Sequence, residues 1–203
     1  MKTLTAPGGR QPLPSLLEAV RACRICAGAL PHSPRPVLQA TSSARILIVG
    51  QAPGRRVHES GVPFDDPSGE RLRAWMGLTR EQFYDPELVA IVPMSFCYPG
   101  TGRSGDLPPR VECAPAWRTQ LLAQLTNVQL TLVVGRYALA WHLGTHGEGV
   151  TRAVAAWRDH WPATVPMPHP SPRNRAWLVT NPWFESDVIP ALQLRVQDLL
   201  HGR

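Results

Sequence analysis

The stretch "MPHPSPRNRAW", residues 167–177, sets one histidine between two prolines and follows it with a serine, a third proline, two arginines and a tryptophan. Proline fixes its own φ, so Pro168 and Pro170 restrict where the His169 imidazole can lie. An imidazole held in this way can stabilise negative charge that develops in a reaction, or can serve as a hydrogen-bonded structural residue. Ser171 offers a hydroxyl or a helix N-cap. Arg173 and Arg175 offer planar forks suited to phosphate oxygens, and Trp177 offers a flat surface for stacking or wedging. The combination suits chemistry on a base in DNA.

Two further segments carry chemistry-bearing residues. "GQAPG" (50–54) follows a short apolar run, and Gly50 and Gly54 would let a ligand approach the backbone closely. It is neither a Walker loop, since no Gly-Lys-Ser/Thr follows, nor a dinucleotide fingerprint, since the glycine spacing differs. In "GVPFDDPSGERL" (61–72), Asp66 followed by Pro67 has the form of an N-cap with proline at the first helical position. Phe64 can be core or can stack on a planar heterocycle.

The cysteines form a C-x2-C pair, Cys23 and Cys26, and a C-x15-C pair, Cys97 and Cys113. In a cytoplasmic chain, free thiols or metal ligands are expected before disulfides. A four-cysteine zinc site usually pairs two C-x2-C units, and four thiolates can equally hold an iron–sulfur cluster. Spacing alone leaves both occupants open.

The elements that must position these residues follow from periodicity. "RILIVG" (45–50), "LVAIVPM" (88–94), "LTLVVG" (130–135) and "TVPMP" (164–168) read as buried parallel strands. Between them lie helical segments: "SGERLRAWMG", "CAPAWRTQLLAQL", "RYALAWHLG" and "TRAVAAWRDHW". "SLLEAVRAC" (15–23) is helical ahead of the first strand, and the piece from Trp183 onward is a closing helix with Pro190 as a kink or break. Alternating strands and helices predict an α/β fold with a mostly parallel four-stranded sheet. Residues 1–14 read as a flexible lead and 15–203 as one domain. The unusual loops all follow strands, where open α/β sheets gather their ligands.

A 203-residue chain supports one substantial core, and no run of about 18 apolar residues is present. The N-terminus lacks the apolar region of a secretory signal, so a cytoplasmic protein without membrane attachment is expected. The net charge is +6, and of 21 basic residues only Lys2 is lysine. GC-rich coding explains such arginine use, and so does a polyanionic partner.

Taken together, "GQAPG", "HPSPRN" and the cysteine layout resemble the uracil-DNA glycosylase superfamily, in particular its iron–sulfur-containing bacterial and archaeal branch. The resemblance runs from about Leu16 to Trp177. It implies a three-layer α/β/α fold and a structural [4Fe–4S] cluster on Cys23, Cys26, Cys97 and Cys113, with zinc as the second candidate. It also implies a monomer hydrolysing the N-glycosidic bond of a damaged, flipped-out base in DNA. His169 would stabilise the departing base, Phe64 would stack on it, and the Ser171–Trp177 loop, with Arg173, Asn174 and Arg175, would enter the minor groove.

The chain departs from the family pattern in three places. Gln51 and Ala52 stand where branches of the family carry a first-motif carboxylate. Asp66 is therefore the expected catalytic carboxylate, with Glu59 and Glu70 in reserve. Pro93 stands where the uracil-reading asparagine is expected and has no amide to offer. Gln51 of the first motif counts with His169 and Asp66 among the expected catalytic residues, Gly50, Ala52, Met94 and Ser95 would line the base pocket, and the base could be uracil or a related deaminated one. Lys2 is the only lysine, which disfavours a Schiff-base lyase. The alternative is a non-catalytic or structure-specific DNA-binding protein on the same scaffold.

Overall fold

The computed structural model describes residues 11–202 apart from Ser104. Four short strands form its centre: β1 (Ile46–Val49), β2 (Val89–Ile91), β5 (Leu130–Val134) and β6 (Thr164–Met167). They pair in the order β2-β1-β5-β6, and every pairing is parallel. Two-residue strands β3 (Thr101–Gly102) and β4 (Gly105–Asp106) make a separate antiparallel hairpin.

Alternation along the strands builds two cores, because successive side chains leave a strand on opposite faces. Ile46, Ile48, Leu130, Leu132 and Val134 meet one cluster, with Trp75, Phe83 and Phe184. Leu47, Val49 and Val133 meet the other, with Leu16, Val20, Leu121 and Leu139. The first face is covered by α3 (Pro67–Met76), α4 (Arg80–Tyr84) and α9 (Ile189–Leu200). The second is covered by α1 (Leu13–Arg21), α5 (Thr119–Leu122) and α6 (Arg136–Leu143). The three-layer α/β/α arrangement expected from the sequence is present.

Boundaries differ from the sequence reading in instructive ways. α1 opens at Leu13, with Pro14 in its first turn, so the flexible lead read over residues 1–14 gives way to helix there; residues 1–10 lie outside the described residues. Pro190 does not end the closing helix: it follows a π-helical turn over Phe184–Val188, and α9 runs on from Ile189 to Leu200. The long stretches read as loops contain α2 (Arg55–Ser60), the β3–β4 hairpin and α8 (Arg175–Thr180). α7 (Val150–Ala155) completes the set. Among the described residues no helix is long and apolar enough to cross a membrane.

From β1 the chain moves outward to β2 and then crosses to the other side, to β5. That reversal leaves a crevice beyond the carboxyl ends of β1 and β5, where open α/β sheets bind ligands.

Candidate active site

A cleft of about 850 Å³ opens at this crevice. Its floor is the first-motif turn Gly50–Gly54 with Pro93 beyond β2; Phe64 and Asp66 form one wall, and His169, Ser171, Arg173 and Asn174 form another.

His169 lies beyond β6, part-buried and closely constrained. Its Nδ1 accepts the Ser171 backbone N–H at 3.2 Å, which leaves Nε2 as the proton-bearing nitrogen of the neutral ring. Burial pulls its pKa below the ordinary histidine value, and the nearby Asp66 carboxylate opposes that only in part. The ring packs against Gly135, whose φ of +80° favours glycine. The loop itself is tied down twice: Asn174 Nδ2 donates to the His169 carbonyl at 2.7 Å, and Arg71 of α3 donates to the Pro170 and Ser171 carbonyls at 3.2 and 3.1 Å.

Asp66 caps α3 as its sequence announces, one carboxylate oxygen accepting the Gly69 N–H at 2.9 Å. The turn before it is tight. Phe64 has a φ of +55°, and a Cβ at residue 69 would overlap the Phe64 carbonyl, so the helix start needs glycine there. The Phe64 ring lies beside Gly50 and meets Phe83 edge-on, with centroids 6.2 Å apart. It is a half-buried flat surface facing the cleft.

Not every expected residue reaches the cleft. Met94 and Ser95 are buried and do not line it; their backbone N–H groups bond to the Gly50 and Gln51 carbonyls and hold the first-motif turn. Trp177 is pinned, its Nε1 donating to Thr151 Oγ1 at 2.8 Å and its ring packed on Trp183 and Phe184. Arg175 is exposed outside the cleft, Glu59 pairs with Arg55, and Glu70 points to solvent on α3.

Other residues join the cleft without a motif to announce them: Ser68 of α3, Arg103 and Asp106 of the hairpin, and Arg136 and Tyr137 of α6. Arg136 stacks its guanidinium 4.6 Å over the Tyr137 ring. Behind the floor lies Arg118, fully buried, donating to the Val92 and Pro93 carbonyls at 2.9 and 2.8 Å and to His142 Nε2 at 2.7 Å. Burial and that cation drop the His142 pKa to about 4, so the ring accepts as a neutral base. The glycine after β5 and an arginine five residues past Cys113 were the only sequence hints to either feature.

The four cysteines come from three segments of the chain into one neighbourhood, and none is in a disulfide. Cys97 and Cys113 are pushed up to about 11 and about 12, chiefly by burial, with a smaller push from the other thiols. Among the described residues no three His, Cys, Asp or Glu side chains form a group able to hold a metal ion. In kind, the donor set fits a thiolate-bound centre: four soft ligands, three of them buried.

The sheet order and cleft define an α/β protein with a crevice at its strand ends. The family model for the uracil DNA glycosylase superfamily matches residues 38–193, from the segment before β1 into α9. The chain belongs to the uracil DNA glycosylase superfamily.

Proposed function

We propose that the protein is a monofunctional DNA glycosylase that hydrolyses the N-glycosidic bond of a flipped-out deaminated base, uracil or a relative, and leaves an abasic site. The observation that carries this reading is the His169 ring, its Nδ1 accepting from its own loop and its Nε2 free to donate, in the same cleft as the Phe64 ring and the Asp66 carboxylate. The base would stack on Phe64, and as the bond to C1′ breaks, the Nε2–H would donate to the charge left on the base. A cationic ring there would hand over its proton; a neutral one supplies the hydrogen bond and keeps it.

Pro93 cannot read a base edge, but the cleft contains another amide. Gln51 lines the floor, and its side chain makes no hydrogen bond among the described residues. Gln51 would present both a donor and an acceptor to the base, a task for an amide rather than acid–base chemistry. Ser68, on the α3 wall, adds a hydroxyl.

The cysteines would hold a [4Fe–4S] cluster, with zinc as the second candidate. The cluster would supply cross-linking of segments far apart in sequence, without taking part in base release. Arg118 would then carry that rigidity to the Pro93 floor.

The test is incubation of purified protein with single- and double-stranded oligonucleotides carrying uracil, hypoxanthine, xanthine or an alkylated base, scored as alkali-labile abasic sites. Release of a deaminated base supports the proposal. Intact DNA binding with no release from any member of the panel favours a binding protein on the same scaffold.

A further inference from the structure

The β3–β4 hairpin arches over the first-motif turn and brings Asp106 to the lip of the cleft. A Cβ built on Gly54 would lie 3.4 Å from Asp106 Oδ2 and 3.8 Å from Asp66 Oδ2. Two carboxylates from different elements therefore converge on one small space beside the glycine that caps α2. They are not equivalent. Asp66 commits Oδ1 to the Gly69 N–H and turns Oδ2 toward Gly54. Asp106 makes no side-chain hydrogen bond among the described residues.

We propose that Asp106 is a catalytic carboxylate of this active site, taking the proton of the attacking water while Asp66 steers that water. This rests on the glycosylase reading above. The water would sit beside Gly54, between the two Oδ2 atoms. Its oxygen forms the new bond to C1′ as the C1′–N bond breaks, and that electron pair leaves with the base. One water proton goes to Asp106 and passes to the departing base or to solvent, so the sum is water plus nucleotide giving abasic sugar plus free base.

The charges facing Asp106 suit this task. Crowding by the cleft raises its carboxyl above the ordinary aspartate range; Arg173, whose guanidinium lies against Gly105, pulls it down, and Asp66 pushes it up. Arg103 of the same hairpin, His169, and Arg136 and Tyr137 of α6 are the other ionisable side chains that line the cleft. A carboxylate of raised pKa is a stronger base than a free aspartate. Nothing in "GTGRSGDLPP" marks this residue, because its partners lie some 40 residues upstream and 67 downstream in the chain, at Asp66 and Arg173.

Single-turnover base release on the substrate found in the panel decides the matter, using Asp106→Asn, Asp106→Glu and Arg173→Gln alongside the unaltered protein. Asp106→Asn is expected to slow release about 100-fold or more, with DNA affinity changed less than about threefold, and to abolish the acid limb of the pH–rate profile. Asp106→Glu should restore part of the rate. Arg173→Gln should keep the limb and move it to higher pH, since the cation that lowers the Asp106 pKa is gone. Thermal melting of Asp106→Asn should be no lower than that of the unaltered protein, because the fold disfavours the charge being removed.

A wild-type rate and profile in Asp106→Asn would overturn the proposal while leaving the glycosylase reading intact. So would a loss seen only as weaker DNA binding, which would make Asp106 a partner of Arg173. If the unaltered protein releases no base at all, the glycosylase reading fails and this proposal fails with it.

Discussion

The aim of the His169 ring depends on hydrogen bonds to its loop rather than on its prolines alone. Pro168 and Pro170 limit the backbone, but Arg71 reaches across from α3 to two successive carbonyls and sets the distance between the histidine wall and the Phe64–Asp66 wall. Arg71→Met keeps the packing of the side-chain stem and removes the clamp. It is expected to lower base release about tenfold, equivalent to about 1.4 kcal/mol of positioning, with DNA binding changed little. A single-turnover assay beside a binding titration checks this; equal losses in both would mean that Arg71 acts on affinity. His169, Asp66 and Phe64 were legible in the sequence because each carries a local signal: flanking prolines, an Asp-Pro cap, an aromatic before it. Arg71, Arg118 and Asp106 were not, because each acts on residues 24 to about 100 positions away, and nothing nearby in the chain records the contact.

At the scale of elements, strand ends explain which residues meet. All four strands were legible as short apolar runs, and their parallel order puts the loops after them at one rim. The contents of those loops were less legible. α2, α8 and the hairpin are two to six residues long, too short for a periodicity to register. Trp177 shows the consequence: read as part of an open loop, it is a wedge, but α8 turns its ring inward onto Trp183 and Phe184. On the proposed reading the insertion surface would fall to the tip before it, Pro172 and Arg173, which line the cleft and are exposed. The cysteines join α1, the segment after β2 and the turn before α5. If they hold an iron–sulfur cluster, Cys97→Ala should lose the visible absorbance of the purified protein and lower its melting temperature. Full retention of colour would remove Cys97 from any such centre.

For the whole molecule, charge would guide the approach of the proposed DNA substrate. The net charge of +6 would be unremarkable if spread evenly, but Arg103, Arg136 and Arg173 come from three separate segments to one cleft, and none of them pairs with a carboxylate among the described salt bridges. Composition pointed to a polyanion; only the fold says where it would lie. Each phosphate contact releases condensed counterions, so removing one should reduce the salt dependence as well as the affinity. Arg136→Gln and Arg173→Gln are each expected to lower the magnitude of the log Kd against log salt slope by about 1, measured on undamaged duplex. An unchanged slope would place the DNA elsewhere on the surface. The central claim is that a neutral His169 in this cleft drives base release. Its most direct test is the single-turnover rate of abasic-site formation by the unaltered protein and by His169→Ala on the same damaged oligonucleotide. A fall of about 100-fold or more, with DNA still bound, is expected; equal rates would contradict the account.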